Sequence, residues 1–510
     1  MRLKTWHVLG YLFGLIFALE PSYIHPDEHF QSLEIMMIKV MGIKGTIPWE
    51  FELENAARSF IPLYVTYGPL LYLNKYIFHL SSGIALMYMV RLQNYIVFTY
   101  LSKLALQFLL DTKLDRKKAS FYISTSYIVW VYQTHSFSNS LESVILLLVL
   151  SLFRILIKDA SGRSFNHYKA CVVLGMLVAL GIFNRITFIA FILLPCIPTF
   201  RLFYSKHFKS LFVSGLSFAS SCFLFVYLDK TIYGSDDWCV TPLNNLLYNL
   251  QDANLTQHGL HPRYTHLLVN LPQMLGPIVV FFFSKKQKIN LALLSCISGL
   301  LLLSLFRHQE LRFLIPLFPL FCISIDLANL TTFPYPKLIA KTWVAFNIVF
   351  GIVMGSFHQR GVITAIQKLT EDQGKVGVHL WWKTYSPPTW LYMNNNLTVS
   401  TTNFVDSVER LDNVDYEISV DHVVDLKGCD YELFELGLMR FLNSTSDGIR
   451  LIIPKSTDKE VQSFKTKHED VHFHILWETP FSLDLDHIDF TDLSTLRPGM
   501  TIYQIDPLRR

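Results

Sequence analysis

Charged residues are scarce in this sequence, and their scarcity excludes most classes of soluble protein. Only 16% of the 510 residues are charged and 51% are hydrophobic, with a mean hydropathy of +0.33. An ordinary soluble domain contains about 25% charged residues. The net charge of +4 is spread through short loops without a long basic or acidic block, which argues against nucleic-acid binding. We therefore interpret the chain as a membrane protein.

The sequence also lacks paired cysteine motifs, repeats and low-complexity tracts. None of the seven cysteines occurs in a Cys-x-x-Cys pair or in a Cys/His spacing typical of zinc sites. No repeat of 20 to 50 residues is visible, which excludes a solenoid. Most cysteines lie in apolar runs, where a small buried hydrophobe is the expected role: Cys171, Cys196, Cys222, Cys296 and Cys322.

Eleven apolar runs are present instead, several of them near the minimum length of roughly 17 residues for a membrane span. The first run follows Arg2 and Lys4 and has no Ala-x-Ala cleavage site, so we expect a retained signal anchor with a cytosolic N-terminus. The pattern predicts a polytopic α-helical membrane protein with about 11 transmembrane helices. The runs cover residues 5–19, 84–110, 119–134, 141–157, 168–183, 186–200, 210–228, 270–284, 290–306, 311–330 and 339–357.

Alternate crossing by these runs places the most basic loops on one side, which the positive-inside rule assigns to the cytosol. The glycosylation sequons at Asn254, Asn396 and Asn443 fall on the opposite side, as modification in a secretory lumen requires. Asn329 falls at a cytosolic edge and should stay unmodified. The basic loops are residues 111–118, 154–169, 201–209, 285–288 and 334–341.

The same pattern predicts two domains: a transmembrane domain over 1–357 and a lumenal C-terminal domain over 358–510. The first lumenal loop covers about residues 20–83. Within it, residues 61–80 are apolar, but a span there would invert every later loop, so we expect an interfacial or re-entrant segment. After residue 358 the sequence becomes mixed, and the β-prone runs "VGVHLWWKTY", "ISVDHVVDL", "IRLIIP" and "VHFHILWE" predict an α+β domain.

The stretch "SYIHPDEHFQS" puts two adjacent acids after the first apolar run. Pro26 suits the first turn of a helix, where the helix dipole favours the carboxylates of Asp27 and Glu28. Phe30, Leu33, Met37 and Val40 follow at helical spacing and predict an amphipathic helix along the membrane surface. A helix start with dipole-matched acids is the purely structural interpretation of this motif, and a pair of catalytic carboxylates is the functional one.

Basic residues that collect on the same lumenal face favour the functional interpretation. Charged side chains next to membrane spans cost free energy and tend to be functional. For Glu310 the alternative is a local salt bridge with Arg307 or Arg312. Carboxylates opposite arginine and histidine suit glycosyl transfer from a lipid phosphate, because a base deprotonates the attacking hydroxyl while cations neutralise the departing phosphate. The basic residues are Arg58, Arg185, Arg263, Arg307, Arg312, His258, His261 and His308.

Several of these motifs resemble one family of membrane enzymes. "HPDEHFQSLE" (25–34), "PWEF" (48–51), "ARSFIP" (57–62), "FSNSLE" (137–142) and "HQELRF" (308–313) are similar to motifs of the GT-C glycosyltransferases of family 22. The resemblance implies a GT-C fold with lumenal juxtamembrane helices in the endoplasmic reticulum membrane. It also implies dolichyl-phosphate-mannose as the donor. No Asp-x-Asp pair occurs in the lumenal loops before the tail, so a divalent metal is not required by the sequence.

Two further stretches narrow the resemblance. "HGLHPRYTHLLVNLPQMLGP" (258–277) and "WWKTYSPPTWL" (381–391) resemble most closely the GPI mannosyltransferase 4 subfamily, which adds a fourth, α-1,2-linked mannose to the trimannosyl precursor of the glycosylphosphatidylinositol (GPI) anchor. The sequence departs from the family pattern at Ile186 and Gln309. The resemblance implies Asp27 as the base with Glu28 assisting, and a donor pocket lined by His25, Arg58, Arg185, His308, Glu310 and Arg312.

Acceptor recognition is expected in the loop 229–269 and in the tail, with His258, His261 and Arg263 as the binding residues. The tail aromatics Trp381, Trp382, Tyr385 and Trp390 could stack on sugars, but paired aromatics in a β-prone run usually pack inward, which we favour. Two cysteines fall in the lumen, where a disulfide is chemically permitted, although the sequence does not show that they meet: Cys239 and Cys429.

Other functions stay open at this point. Relatives that add the third GPI mannose, or that act on the lipid-linked N-glycan precursor, share the first-loop motif. A lipid-glycan transporter or scramblase would place charges along mid-span positions of several helices, whereas here few lie mid-span, such as Arg91 and Lys103. A non-catalytic subunit of a glycan-assembly complex would not need the intact pair Asp27 and Glu28.

Overall fold

The computed structural model describes most of the chain. The described residues are 3–159, 167–251, 259–281, 289–325, 336–371, 377–401, 421–444, 448–485, 488 and 491–506. The predicted sites Asn254 and His258, and the sequon at Asn329, lie outside them.

Helices dominate this structure, as the apolar runs predict. The α-helices are Leu3–Ala18, Glu34–Met41, Ile61–Thr66, Gly68–Leu73, Gly83–Leu109, Lys113–Ser124, Ser138–Lys158, His167–Asn184, Phe188–Thr199, Phe208–Tyr233, Thr241–Asn249, Leu271–Leu275, Leu291–Leu303, Leu317–Ser324, Pro336–Ile352, Arg360–Glu371, Tyr431–Ser444 and Asp458–Lys467. Short π-helical turns extend several of them, at His29–Leu33, Asn74–Phe78, Ile128–Tyr132, Phe200–Tyr204, His266–Asn270 and Val353–Phe357.

Four of the described helices are long and apolar enough to cross a membrane: Ser138–Lys158, His167–Asn184, Phe208–Tyr233 and Lys337–Phe357. None of the most apolar window of Phe208–Tyr233 is buried, as expected for a helix that faces lipid. Shorter apolar helices accompany them, so the count of about 11 spans stays a prediction. The apolar segment 61–80 is divided into the short helices Ile61–Thr66, Gly68–Leu73 and Asn74–Phe78, so it forms no continuous span.

The chain divides into two compact units. The first unit comprises residues 1–18, 48–69 and 91–351 and contains most of the apolar helices. The second comprises residues 19–47, 70–90 and 352–510, so it combines part of the first predicted lumenal loop with the C-terminal region. The domain boundary at residues 357 and 358 stays a prediction.

The second unit contains a mixed six-stranded sheet. Its strands are β1 (Val378–Trp381), β2 (Thr398–Thr401), β3 (His422–Asp425), β4 (Ile449–Pro454), β5 (Phe473–Thr479) and β6 (Met500–Ile505). They lie in the order β2-β3-β1-β4-β6-β5. The pairs β2–β3, β3–β1 and β1–β4 are parallel, whereas β4–β6 and β6–β5 are antiparallel. All four predicted β-prone runs form strands, and the α+β character of the C-terminal region is therefore confirmed.

The core of this sheet domain confirms the inward-packing interpretation of the tail aromatics. Trp381, Trp382 and Trp390 are all fully buried. Trp382 stacks on Phe434, with ring centroids 4.0 Å apart and planes inclined by 10°. Phe434 belongs to the helix Tyr431–Ser444, whose apolar side contributes Leu438, Phe441 and Leu442 to the same core. This hydrophobic cluster packs the helix against the sheet and stabilises the sheet domain.

The two cysteines and the described sequons that are predicted to be lumenal have the following environments. Cys239 and Cys429 are free thiols in the structure. Asn396 lies exposed in a turn and Asn443 lies exposed near the end of the helix Tyr431–Ser444, so both side-chain amides are accessible to a modifying enzyme. Their glycosylation stays a prediction.

We expect Phe434→Ala to destabilise the sheet domain by roughly 3 to 5 kcal/mol, because it removes the stacking partner of Trp382 and leaves a cavity in the core. Thermal unfolding and limited proteolysis of the full chain in detergent measure this effect. Leu493→Ala is the control, since Leu493 is 72% exposed and its truncation should cost almost nothing. Equal effects of the two variants would contradict the assigned core.

Candidate active site

The acidic motif lies at the start of a helix, as the sequence predicts. The helix begins at Asp27, directly after Pro26, and continues through the π-helical turn His29–Leu33 into the helix Glu34–Met41. The backbone N–H of His29 donates to the carbonyl of Pro26 at 3.0 Å and closes the first turn. Gly42 ends the helix with a φ of +75°, a conformation that glycine adopts without steric cost.

Asp27 faces partly outward. Its side chain keeps 23% of its surface exposed, and its Oδ2 accepts a hydrogen bond from Gln31 Nε2 at 2.7 Å. His25 lies beside it, with His25 Nδ1 3.7 Å from Asp27 Oδ1 and accepting from the Asp27 backbone N–H. One carboxylate oxygen of Asp27 is thus oriented by a neighbour one helical turn away, while the side chain stays accessible.

Glu28, the adjacent acid, faces inward. It is 1% exposed, and its Oε1 lies 3.0 Å from Nε2 of His29, which is equally buried. Consecutive residues of a helix point about 100° apart, so the two acids of the motif occupy different environments. Their neighbouring positions in sequence therefore do not make them equivalent.

A third carboxylate in this unit escaped the sequence analysis. Glu34 is fully buried, and it accepts hydrogen bonds from the backbone N–H groups of Thr46 at 3.0 Å and Trp390 at 3.2 Å, and from the Thr389 hydroxyl. Burial raises its pKa to about 7, although these hydrogen bonds oppose the shift. A Cβ atom at Gly45 would lie 2.4 Å from Glu34 Oε1, so this approach requires glycine.

The other predicted donor residues belong to the first unit, where three of them contact the ring of Phe313. The guanidinium carbons of Arg185 and Arg312 each lie 5.2 Å from the Phe313 ring centroid, within cation–π range. His308 packs edge-on against the same ring at 5.4 Å. Phe313 thus brings Arg185 beside His308 and Arg312, which lie more than 120 positions further along the chain, and its sequence context predicts no such role.

Each arginine of this cluster is paired with a carboxylate. Arg185 Nε lies 3.6 Å from Oε2 of Glu142, a fully buried residue of the "FSNSLE" motif, and Arg185 also donates to Ser138 Oγ at 3.0 Å. Arg312 forms a two-point contact with Glu310. The local salt bridge that the sequence left open for Glu310 and Arg312 is therefore present.

His308 also contacts the carboxylate of Glu310. Its Nε2 lies 2.7 Å from Glu310 Oε1, and its Nδ1 approaches the carbonyl of Gly259 at 3.1 Å. Burial alone would lower the pKa of His308, but the hydrogen bond and charge of Glu310 outweigh it and hold that pKa above its ordinary value. His308 therefore keeps its proton to a higher pH than a free histidine.

Arg58 lines the same pocket as Arg185. Its Nε donates to Glu50 Oε1 at 3.0 Å, and its backbone carbonyl accepts from the Tyr233 hydroxyl at 2.7 Å. The pocket is lined by Arg58 and Arg185 among others. Three arginines and three carboxylates are thus paired in this group, and protonation of His308 adds one further positive charge.

The two predicted acceptor residues that the structure describes lie in different environments. The backbone N–H of His261 donates to the carbonyl of Arg307 at 2.8 Å, and its ring lies 6.2 Å from that of His308. Arg263 is exposed. The structure therefore brings one predicted acceptor residue, His261, beside the predicted donor residue His308, while His258 lies outside the described residues.

Gln309, where the sequence departs from the family pattern, supports this loop from inside. It is 2% exposed; its Oε1 accepts from the backbone N–H of His266 at 2.7 Å, and its Nε2 donates to the carbonyls of Arg263 and Phe306. An amide can accept and donate at once, so it joins both segments, which a lysine ammonium could not do.

Metal ligation has no geometric support within the described ranges. No group of three or more His, Cys, Asp or Glu side chains there is placed to hold a metal ion. The sequence-based expectation that the reaction needs no metal stays a prediction.

Solved structures share this fold. ArnT from Cupriavidus metallidurans, in its apo state and bound to undecaprenyl phosphate, aligns with TM-scores of 0.53 and 0.52 over 98% of both chains. At 10% sequence identity, the likeness concerns the fold alone. It agrees with the predicted GT-C architecture: apolar helices followed by a C-terminal sheet domain.

Fold and sequence together define a polytopic membrane glycosyltransferase. Residues 5–394 match the Alg9-like mannosyltransferase family, and the chain belongs to this family. It is 46% identical over 506 residues to GPI mannosyltransferase 4 of Eremothecium gossypii, covering 99% of this chain and 100% of the relative. It is 44% identical to GPI mannosyltransferase 4 of Saccharomyces cerevisiae over the full length of both.

We expect Glu142→Gln to lower the free energy of unfolding by about 3 kcal/mol, because it leaves the Arg185 guanidinium without its carboxylate in a largely buried site. Denaturation of the full chain in detergent measures the loss. Asp111→Asn is the control, since Asp111 pairs with Arg154 and Lys158 but its side chain is 62% exposed, and it should cost less than about 1 kcal/mol. A loss no larger than that of the control would refute the assigned pairing.

Proposed function

We propose that this protein transfers mannose from dolichyl-phosphate-mannose, with inversion, to the trimannosyl GPI precursor and adds the fourth, α-1,2-linked mannose. The observation that carries the proposal is the full-length likeness to proteins named GPI mannosyltransferase 4. Membership of the Alg9-like mannosyltransferase family supports the reaction class, while the donor, linkage and acceptor are parts of the proposal. The active site and the C-terminal domain would lie on the lumenal side of the endoplasmic reticulum membrane.

Asp27 would act as the base. Its accessible side chain at a helix start supports this role, whereas the inward-facing Glu28 suits a supporting one. The acceptor hydroxyl loses its proton to Asp27 while its oxygen attacks the anomeric carbon of the donor mannose. The bond from that carbon to the phosphate oxygen breaks in the same displacement, and dolichyl phosphate leaves. One base suffices, and no covalent intermediate forms.

The cluster around Phe313 would hold the donor phosphate. Arginine presents donors in a planar fork that matches phosphate oxygens, and a protonated His308 would add a net positive charge to an otherwise balanced group. The likeness to ArnT bound to undecaprenyl phosphate supports a fold that accommodates a polyprenyl phosphate. Arg58, Arg185, Arg312 and His308 are the proposed ligands. Glu310 would position the last two, and His25 would flank the base.

The acceptor glycan would contact the loop that carries His261 and Arg263, with His258 preceding it in sequence. The position of His261 beside His308 supports this assignment, because the two sugar substrates have to meet at the reacting carbon. An assay that separates GPI and N-glycan products by their number of mannoses also tests the other two acceptors that the sequence leaves open, the dimannosyl GPI precursor and the lipid-linked N-glycan precursor.

We expect Asp27→Asn to fold and to abolish transfer, because the amide cannot accept the hydroxyl proton. Microsomes that contain labelled dolichyl-phosphate-mannose should accumulate trimannosyl GPI and form no tetramannosyl product. Asp111→Asn is the control with the same charge change, since the Asp111 side chain is 62% exposed and lies outside the predicted donor and acceptor residues, and it should retain activity. Full activity of Asp27→Asn would refute its role as the base, and loss of the trimannosyl GPI or N-glycan product in the variant, in place of the tetramannosyl product, would reassign the acceptor.

We expect the affinity for dolichyl phosphate to fall by roughly threefold to fivefold as the pH rises through the raised pKa of His308, because the ring then loses its proton. The sign follows from its raised pKa: the charged form is present at lower pH and is lost as the pH rises through that value. Binding to nanodisc-embedded protein measures the effect. His308→Gln should bind weakly at every pH.

His474→Gln is the control for this titration. His474 also faces a carboxylate, Asp506 at 3.4 Å, but its side chain is 66% exposed in the sheet domain. The variant should reproduce the pH dependence of the wild type. A pH dependence that survives in His308→Gln would contradict the assignment.

A further inference from the structure

A tail residue contacts the acidic motif within the second unit. Trp390 is fully buried, and its indole Nε1–H donates a hydrogen bond to Nδ1 of His29 at 3.2 Å, across 361 residues of sequence. The sequence context of Trp390 predicts only a sugar-stacking or core residue. Its indole nitrogen instead reaches the residue that follows Glu28.

The chemistry of this contact fixes the protonation of His29. An indole N–H is a donor only, so His29 Nδ1 has to accept. In the neutral imidazole the proton then lies on Nε2, the nitrogen that is 3.0 Å from Glu28 Oε1. A proton on Nδ1 would place two N–H groups against each other. Trp390 therefore holds His29 in the tautomer whose proton lies on the nitrogen 3.0 Å from Glu28 Oε1.

The position of Trp390 is itself fixed by the motif's own helix. Glu34 accepts from the Trp390 backbone N–H and from the Thr389 hydroxyl, and it also accepts from the backbone N–H of Thr46. Tyr23 packs edge-on against the His29 ring at 5.0 Å and donates its hydroxyl to the carbonyl of Ser386. The segment around Trp390 is thus held by contacts from both sides of the acidic motif.

We propose that Trp390 is a positioning residue for the acidic motif: its indole N–H sets the tautomer of His29, which orients Glu28 in the helical turn that carries Asp27. The proposal deepens the proposed function and rests on it. Trp390 acts through His29 and does not touch the substrate. A segment far along the chain thereby becomes part of the catalytic framework.

The decisive variant is Trp390→Phe, which keeps an aromatic ring but removes the N–H. Trp382→Phe is the matched control, because Trp382 is equally buried and its Nε1 donates to the carbonyl of Cys429 at 2.9 Å, away from His29. Both changes delete one indole hydrogen bond from the same unit. A general loss of stability should therefore affect both variants alike.

We expect Trp390→Phe to lower kcat roughly tenfold per folded enzyme, as removal of an orienting partner does, with little change in the KM for the donor. The acid limb of its pH profile should move to higher pH, because the freed Nδ1 of His29 can take a proton beside Glu28. Trp382→Phe should keep the wild-type kcat and profile. Indistinguishable kcat values and pH profiles in the two variants would overturn the proposal.

A second measurement is independent of activity and reads the wild-type protein directly. In the wild-type protein labelled with 15N-histidine, His29, assigned by loss of its signal in His29→Gln, should show an unprotonated Nδ1 and a protonated Nε2. The opposite tautomer would overturn the proposal even if mannosyl transfer is confirmed. Absence of transfer by the wild type would instead refute the proposed function and leave this result standing.

Discussion

The compensation of buried charge is the constraint on which the rest of the site depends. A charged side chain withdrawn from water is tolerated only when an opposite charge or several hydrogen bonds replace its hydration. Arg185 meets this condition through Glu142, Arg312 through Glu310, and Glu34 through three hydrogen-bond donors. Each of these pairings either joins two separate segments or stabilises a turn. The contacts that compensate the buried charges therefore also position the residues of the site.

This constraint explains why neighbouring residues of one motif differ in character. Asp27 and Glu28 are consecutive, but one is partly accessible and the other is enclosed with His29. An accessible carboxylate can exchange a proton with a bound hydroxyl, whereas an enclosed one serves better as a fixed charge. A similar difference separates His308, whose pKa is raised by the hydrogen bond and charge of Glu310 against the opposing effect of burial, from Gln309, whose buried amide binds the backbone of the loop.

The C-terminal region has two roles in the second unit. Trp382 belongs to the hydrophobic core of the sheet domain, whereas Trp390, only eight positions later, contacts the first-loop helix. The 3₁₀ turn Thr389–Tyr392 between β1 and β2 presents its backbone N–H groups to Glu34. A loop after a parallel strand is well suited to such a contact, because the sheet fixes its two ends.

The sequence by itself determined the membrane character, the helix start at Asp27, four strands of the sheet and the family, because each depends on local composition, spacing or motif. It also named most of the basic cluster. Only the tertiary structure revealed Glu142 and Phe313 as partners of that cluster. It also revealed Glu34 as a buried carboxylate bound to Thr389 and Trp390, and it distinguished Asp27 from Glu28. Burial and charge pairing arise between residues that can lie more than 300 positions apart, and no local periodicity encodes which of them will meet.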